Sequence, residues 1–216
     1  MKLIEIYREL MDDLQFIERE LDKAVDTPHP LMRNTSKHLL HAGGKRIRPV
    51  FVLLGGKCGH YDLDKIKYVA VALELIHMAT LVHDDVIDNA ATRRGKPTVK
   101  AKWDNRIAMY TGDYILARAL QYITQIADPR VQQILSQAMV EMCVGEIEQI
   151  KALYQWNQNL RTYLLRIKRK TALLMAISCQ LGGMVCQAGE EVVQALYRFG
   201  YYVGMAFQIT DDILDF

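Results

Sequence analysis

Residues 66–88, IKYVAVALELIHMATLVHDDVID, contain the pattern that decides the fold. Apolar side chains recur there at the spacing of three and four residues that is typical of a helix, without proline or glycine. The run ends in Asp84, Asp85 and Asp88, which we call the first aspartate cluster. The pattern predicts one long apolar helix that ends in a group of carboxylates.

The rest of the chain predicts more helices of the same kind. Helical periodicity with few internal breakers extends over residues 4–25, 107–127, 130–151, 160–180 and 190–215. No alternating β-branched run is bounded by an Asn-Gly or Asp-Gly turn, so no sheet is expected. We predict an all-α chain, with residues 1–216 forming a single domain of long packed helices.

Composition excludes several classes of protein. Half of the residues are hydrophobic and 24% are charged, which is typical of a globular protein. A net charge of +2 is too small for a general nucleic-acid-binding protein. Polar residues interrupt the long apolar runs, so no transmembrane span is expected. Cys58, Cys143, Cys179 and Cys186 form no CxxC pair; we expect buried reduced thiols and a cytoplasmic location.

The DDxxD pattern of the first cluster recurs at Asp211, Asp212 and Asp215, the second aspartate cluster. Its first and last carboxylates are one helical turn apart, where like charges repel. One interpretation is a solvated acidic helix end, but this explains neither the duplication nor the apolar residues that precede both clusters. The other is a pair of sites for divalent cations, and oxygen ligands at this density favour Mg²⁺.

Basic residues form three groups that complement these carboxylates. The groups contain Lys45, Arg46 and Arg48; Arg93, Arg94 and Lys96; and Lys168, Arg169 and Lys170. Each group alone is more typical of a solvated surface. Together with two acidic clusters, they favour a polyphosphate ligand whose remaining part contacts apolar helix faces.

His77 lies on nearly the same line of its helix as Asp84 and Asp88. A histidine on an apolar helix is commonly a core residue. With Glu74 it also forms the Glu-x-x-His element of di-iron helical bundles. That interpretation requires a second such element, which the sequence lacks.

These motifs resemble those of the trans-isoprenyl diphosphate synthases. The stretches GGKRIRP (43–49), LIHMATLVHDDVID (75–88), RRGKPT (93–98), TGDYILARA (111–119) and FQITDDILD (207–215) match in order and spacing, as does Lys170-Thr171. The resemblance extends over nearly the whole chain from about residue 20. It implies an isoprenoid-synthase-type bundle of long helices around a central cavity.

The resemblance also implies roles for individual residues. Three Mg²⁺ ions would be held, with substrate bound, by Asp84, Asp88, Asp211, Asp212 and Asp215. Isopentenyl diphosphate would contact Lys45, Arg48, His77 and Arg94. The allylic diphosphate would contact Arg93, Lys170, Thr171 and Gln208. Catalysis would depend on Asp84, Asp88, Lys170 and Asp211, and product length on Ala79 and Ile76.

The implied reaction is condensation of isopentenyl diphosphate with an allylic diphosphate, farnesyl diphosphate, to a long all-trans product. The likeness is to a two-component branch of the family, so we expect a smaller non-catalytic subunit, a homodimer, or both. A heptaprenyl product for a menaquinone side chain and peripheral membrane contact for its release are further expectations. The family continues well beyond the second cluster, and we expect this piece alone to be deficient in turnover.

Other functions remain open at this point. A class I terpene cyclase shares the fold and the first motif, although its second motif is usually not DDxxD. A head-to-head condensing enzyme would show DxxxD motifs. A synthase of another chain length and a non-catalytic prenyltransferase-like subunit are the remaining alternatives, although such subunits commonly lose the aspartate motifs that this chain keeps.

Overall fold

The computed structural model describes residues 3–152 and 159–214, and helices dominate both ranges. The helices are α1 (Leu3–Glu9), α2 (Met11–Val25), α3 (Pro30–Leu40), α4 (Ile47–Gly56), α5 (Leu63–Ile87), α6 (Val99–Lys102), α7 (Asn105–Ile123), α8 (Pro129–Ala152), α9 (Leu160–Ile167), α10 (Leu173–Val185) and α11 (Glu190–Leu214). The predicted all-α fold class is confirmed.

A short hairpin is the exception to the helices. Strands β1 (Thr92–Arg93) and β2 (Lys96–Pro97) pair antiparallel, Thr92 opposite Pro97 and Arg93 opposite Lys96. The two residues between them, Arg94 and Gly95, have φ values of +53° and +73°. These left-handed conformations make the tight turn that closes a two-residue hairpin. The sequence analysis missed it because Arg-Gly replaces the usual Asn-Gly signal.

Two of the predicted helices are interrupted. The segment 4–25 divides at Leu10, which is 1% exposed and separates α1 from α2. The segment 160–180 contains a π turn at Lys168–Ala172 between α9 and α10. A π turn inserts an extra residue into a helix and often occurs at functional sites. Periodicity cannot detect such an insertion, since the apolar spacing continues on both sides.

Contacts between Cα atoms divide the chain into two compact units. Unit 1 contains Met1–Val50 and Lys67–Gln125, and unit 2 contains Phe51–Ile66 and Ile126–Phe216. This division does not test the expectation that residues 1–216 form a single domain, which stays a prediction.

The core of each unit lies along one apolar helix. In unit 1, the α5 side chains from Val69 to Ile76 are buried, Glu74 included. In unit 2, every residue of α10 from Leu173 to Gly183 is buried. Helix α11 packs closely on α10, because a Cβ atom at Gly200 would lie 2.6 Å from the carbonyl oxygen of Met175.

Two further expectations meet different outcomes. Cys179 and Cys186 are buried as expected, but Cys58 and Cys143 are exposed, so the prediction of four buried thiols was wrong for those two. Among the described residues, α5 is long and apolar enough to span a membrane by length and composition. Because 67% of its most apolar window is buried within the protein, it has the features of a core helix.

Candidate functional site

The first aspartate cluster lies where α5 ends. Asp88 follows the last helical residue, and its backbone N–H still donates to the Asp84 carbonyl oxygen at 2.8 Å. One further helical turn therefore separates these two residues, which places them on the same face. Asp84 is partly buried and Asp88 is exposed.

The middle residue of this cluster has a different environment. Asp85 is 2% exposed, and its Oδ1 accepts hydrogen bonds from Arg93 at 2.8 Å. Burial raises the pKa of Asp85, and the guanidinium of Arg93 only partly opposes this shift. Asp85 thus orients Arg93, a residue that the sequence analysis assigned to the allylic diphosphate.

The loop 43–46 leads into α4 and contains the first basic group. Gly43 and Arg46 both have positive φ values, +92° and +49°. Arg46 forms ion pairs with Glu18 and, at 3.2 Å, with Glu74, and it donates to the carbonyl oxygen of Leu40 at 3.0 Å. Arg46 therefore fixes the loop by internal ion pairs.

The neighbouring predicted residues are arranged differently. Lys45 is exposed, and its carbonyl oxygen accepts a hydrogen bond from Tyr7. Arg48 lies in the first turn of α4, where its Nε is buried without a hydrogen-bond partner among the described residues. A buried donor of this kind can receive an oxygen atom of an anion. Arg94 donates to the carbonyl oxygen of Gly43 and so connects the hairpin to the loop.

Four arginines of unit 1 lie near enough to His77 to lower its pKa. Its pKa is well below the ordinary value, first because of burial and then because of nearby positive charges, so the ring is neutral at pH 7. These charges belong to Arg46, Arg48, Arg93 and Arg94. The structure therefore brings Arg48, His77 and Arg94, three of the residues predicted for isopentenyl diphosphate, near Arg93, which was predicted for the allylic diphosphate; the roles themselves stay predictions. Burial, opposed by Glu74, also lowers the pKa of Arg48.

A narrow cleft in unit 1 is lined by several of these side chains. Arg46, Glu74, His77, Asp85, Arg93 and Arg94 contribute its charged and polar surface, and Met78, Leu81 and Val99 contribute apolar surface. Glu74 and Asp85 carry the negative charges of this lining, against three arginines. The excess positive charge, in a partly desolvated place, suits a diphosphate group.

In unit 2, the π turn presents the predicted Lys170 and Thr171. Lys170 is exposed, whereas Thr171 is buried and its hydroxyl donates to Gln208 Oε1 at 2.5 Å. The preceding residue, Arg169, forms ion pairs with Glu148 and, at 3.0 Å, with Glu141 of α8. Neighbouring basic residues thus differ in role: Arg169 fixes the turn, and Lys170 remains accessible.

The second aspartate cluster occupies the last described turn of α11. Asp211 is exposed. Asp212 is partly buried, and its two oxygens accept hydrogen bonds from Tyr163 at 2.9 Å and from Gln208 at 2.8 Å. Asp215, predicted as a metal ligand, lies outside the described residues.

The two residues predicted to set product length lie deep in α5. Ile76 is fully buried and Ala79 is 2% exposed. A buried alanine fits either a lining position of a channel or a site of close helix packing, so this assignment stays a prediction.

The carboxylates fit Mg²⁺ by their chemistry. Within residues 3–152 and 159–214, no group of three histidine, cysteine or acidic side chains is arranged as a ready-made metal site. Mg²⁺ is usually held by one or two carboxylates, with water and substrate phosphates completing its shell. Accessible Asp88 and Asp211, one in each unit, are suited to that incomplete form of coordination.

The sequence analysis assigned no role in this site to four residues that support it. It named Glu74, Asp85 and Arg46, which form ion pairs in unit 1, without giving them a role. It did not consider Tyr163, which donates a hydrogen bond to Asp212 in unit 2. A single acid within the apolar run 66–83 was a signal for Glu74, since a buried acid is rarely unpaired. No sequence signal identifies Tyr163.

Comparison with known proteins gives consistent results. Residues 29–216 match the polyprenyl synthetase family. The chain is 65% identical over all 216 residues to heptaprenyl diphosphate synthase component 2 of Bacillus subtilis (strain 168). It covers 62% of that relative, so it spans less than two thirds of the relative's length.

Two solved structures have the same fold. Heptaprenyl diphosphate synthase from Staphylococcus aureus superposes with a TM-score of 0.93 at 44% identity, covering 95% of this chain and 65% of the other. Polyprenyl synthase from Caulobacter crescentus CB15, complexed with calcium and isoprenyl diphosphate, gives 0.95 at 30% identity, covering 99% and 65%. Family, fold and motifs agree, and we conclude that this chain belongs to the polyprenyl synthetase family.

Proposed function

We propose that this chain is the catalytic part of a Mg²⁺-dependent trans-polyprenyl diphosphate synthase. It would condense isopentenyl diphosphate with an allylic diphosphate, farnesyl diphosphate. The observation that carries the proposal is the group of four arginines around neutral His77, beside an aspartate cluster with an accessible carboxylate. Excess positive charge and carboxylates in one unit suit a diphosphate bound with a divalent cation.

The reaction requires departure of diphosphate from the allylic carbon. When bound, Mg²⁺ supplies charge neutralisation that favours this departure. Arg93, held by Asp85 within unit 1, would add positive charge toward the leaving group. The double bond of isopentenyl diphosphate then attacks the allylic cation, and loss of a proton restores the alkene.

The residues of this chain also bear on two further points, which group removes the proton and how water is kept from the allylic cation. His77 is neutral but surrounded by arginines, which disfavour its protonation, so it is a poor base. The departing diphosphate is the better proton acceptor. Met78, Leu81 and Val99, the apolar lining of the cleft, would exclude water, which would otherwise convert the cation into an alcohol.

We propose a heptaprenyl product that serves as a menaquinone side chain. The name of the Bacillus subtilis relative supports this length, and Ala79 is no aromatic obstacle along α5. The substitution Ala79→Phe should shift the products of the full-length enzyme to shorter chains while preserving the first condensation. An unchanged product distribution would show that Ala79 instead serves helix packing.

We further propose a partner subunit and a cytoplasmic location. The relative is named component 2, which supports a second component, and a homodimer is compatible with this. The decisive experiment incubates the full-length protein with Mg²⁺, isopentenyl diphosphate and farnesyl diphosphate, with and without the smaller subunit. Long-chain product only in the mixture is expected. Cyclised or head-to-head products, or no turnover under either condition, would contradict the proposed function.

A further inference from the structure

A continuous chain of hydrogen bonds in unit 2 connects helix α9, the π turn and helix α11. The Tyr163 hydroxyl donates to Asp212 Oδ2 at 2.9 Å, and Gln208 Nε2 donates to Asp212 Oδ1 at 2.8 Å. Thr171 donates in turn to Gln208 Oε1 at 2.5 Å. Each oxygen of Asp212 therefore accepts one hydrogen bond from a protein donor, and both donors are electrically neutral.

The side chain of the neighbouring Asp211 is not held in this way. It is exposed, and no hydrogen bond or ion pair to another described residue involves its side chain. Successive residues of a helix point about 100° apart, so fixing Asp212 also fixes the direction in which Asp211 points. Asp211 is thus the accessible ligand of this pair, and Asp212 is the anchored one.

Tyr163 is itself held in place. Asn159 caps α9 by accepting a hydrogen bond from the Thr162 backbone N–H at 2.9 Å, immediately before Tyr163. The guanidinium of Arg166 lies 5.4 Å from the centre of the Tyr163 ring. The Tyr163 hydroxyl is the donor in its hydrogen bond to Asp212, because a carboxylate oxygen only accepts.

The π turn is also held closely by its neighbours. A Cβ atom at Gly145 would lie 2.7 Å from Arg169 Cβ, and one at Gly204 would lie 2.5 Å from Ala172 Cα. Helices α8 and α11 therefore enclose the turn on the two sides where these glycines lie. The Thr171 hydroxyl connects this enclosed turn to Gln208, which in turn binds Asp212. The position of Lys170, the residue before Thr171, is thereby tied to that of Asp212.

We infer that Tyr163 is a positioning residue that holds Asp212 as an internal anchor, so that Asp211 and Lys170 keep a common geometry toward the diphosphate and its metal ion. The inference rests on the proposed function and deepens it. It also reassigns Asp212, from a metal ligand to a residue that acts through its neighbours.

The test is Tyr163→Phe in the full-length enzyme with its partner subunit, which removes one hydroxyl and keeps the ring. We expect kcat for the first condensation to fall about tenfold and the Mg²⁺ concentration for half-maximal turnover to rise about fivefold, since a hydrogen bond to a charged group is lost. The KM for isopentenyl diphosphate should change less than about twofold, because its predicted contacts lie in unit 1. A merely structural role would not separate these constants.

The matched control is Tyr202→Phe. Tyr202 lies on α11, is 67% exposed, and its hydroxyl has no hydrogen-bond partner in the described part of the chain. If Tyr163→Phe and Tyr202→Phe have the same kinetics in an active enzyme, the inference is overturned and the proposed function stands. If the unaltered enzyme itself shows no turnover, the proposed function is overturned, and the inference with it.

A second pair of variants tests the anchor directly. In Asp212→Asn, the amide oxygen can still accept from Tyr163, and Gln208 can reverse its amide to accept from the new NH₂ group. In Asp212→Ala, both bonds are lost. We expect the alanine variant to lose at least ten times more turnover than the asparagine variant. Equal and severe losses would instead identify Asp212 as a direct metal ligand and overturn the inference.

Discussion

The ends of α5 and α11 share the DDxxD pattern, but their middle aspartates are held by different interactions. Asp85 is buried against a positive charge, Arg93, eight residues further along the chain. Asp212 accepts hydrogen bonds from two neutral donors, Tyr163 and Gln208. The first arrangement depends on charge and the second on hydrogen-bond geometry, so substitutions should affect the two clusters differently.

The largest expected effect concerns what the two clusters share. Asp88→Ala and Asp211→Ala should each lower turnover about a thousandfold, because each removes an accessible carboxylate that is predicted to hold Mg²⁺. Asp84→Ala should behave like Asp88→Ala. Circular dichroism should show unchanged helix content. If the variants of one cluster kept near-normal turnover while those of the other lost it, only the second of these clusters would hold the metal ion, and the two would not share this role.

The second prediction compares close packing at two helical glycines. In Gly204→Ala, the new Cβ would meet the Ala172 backbone at 2.5 Å, which cannot easily move. We expect a loss of about 2 kcal/mol in the free energy of unfolding. In the control Gly112→Ala, the new Cβ would meet the ring of His83, a side chain that can rotate.

For Gly112→Ala we therefore expect a loss below about 1 kcal/mol, since alanine also favours the helix. Urea unfolding of both variants measures the difference. Equal losses would show that the backbone around the π turn adapts as readily as a side chain, which would weaken the contrast between the units.

A third prediction isolates charge in the first cluster. Asp85→Asn should lower turnover about tenfold, because Arg93 loses the charge that orients it. Stability should change by less than about 1 kcal/mol, since the raised pKa of Asp85 indicates that burial disfavours its charged form.

The control for Asp85→Asn is Asp113→Asn, which neutralises an exposed carboxylate 3.3 Å from His83. Steady-state kinetics and thermal unfolding on the same samples separate the two effects. A large loss of stability with normal turnover would show that the pair of Asp85 and Arg93 serves folding.

The smallest effect is a pH dependence from His77. Its pKa in the folded protein is depressed, so the unfolded chain binds a proton first as the pH falls below about 6.5. His77 therefore contributes stability above that pH, and the contribution is lost as the pH falls toward the folded value. The slope is at most about 1.4 kcal/mol per pH unit.

His77→Gln replaces the ring with a neutral amide and should flatten this dependence between about pH 7.5 and 5.5. Measuring the free energy of unfolding at several pH values, for both proteins, checks this. An identical slope in both would mean that another group produces it. No comparable histidine accompanies the described part of the second cluster, so the effect should belong to the first.

The sequence by itself determined the helices and both aspartate clusters, because helical periodicity and DDxxD spacing are local properties. The family resemblance placed Arg48, His77 and Arg94 at one substrate, and unit 1 does bring these three residues near one another. It could not show the π turn at Lys168–Ala172, since one inserted residue leaves the apolar spacing on either side intact.

Only the tertiary structure decided which charges serve the protein and which remain accessible. Arg46 and Arg169 are used in internal ion pairs, whereas the adjacent Lys45 and Lys170 are exposed. Tyr163 reaches Asp212 across 49 residues of sequence. Packing between distant segments decides which side chains become neighbours. Burying a charge costs free energy unless a partner lies beside it, so the packing also decides where such a partner is needed. No local sequence pattern specifies this.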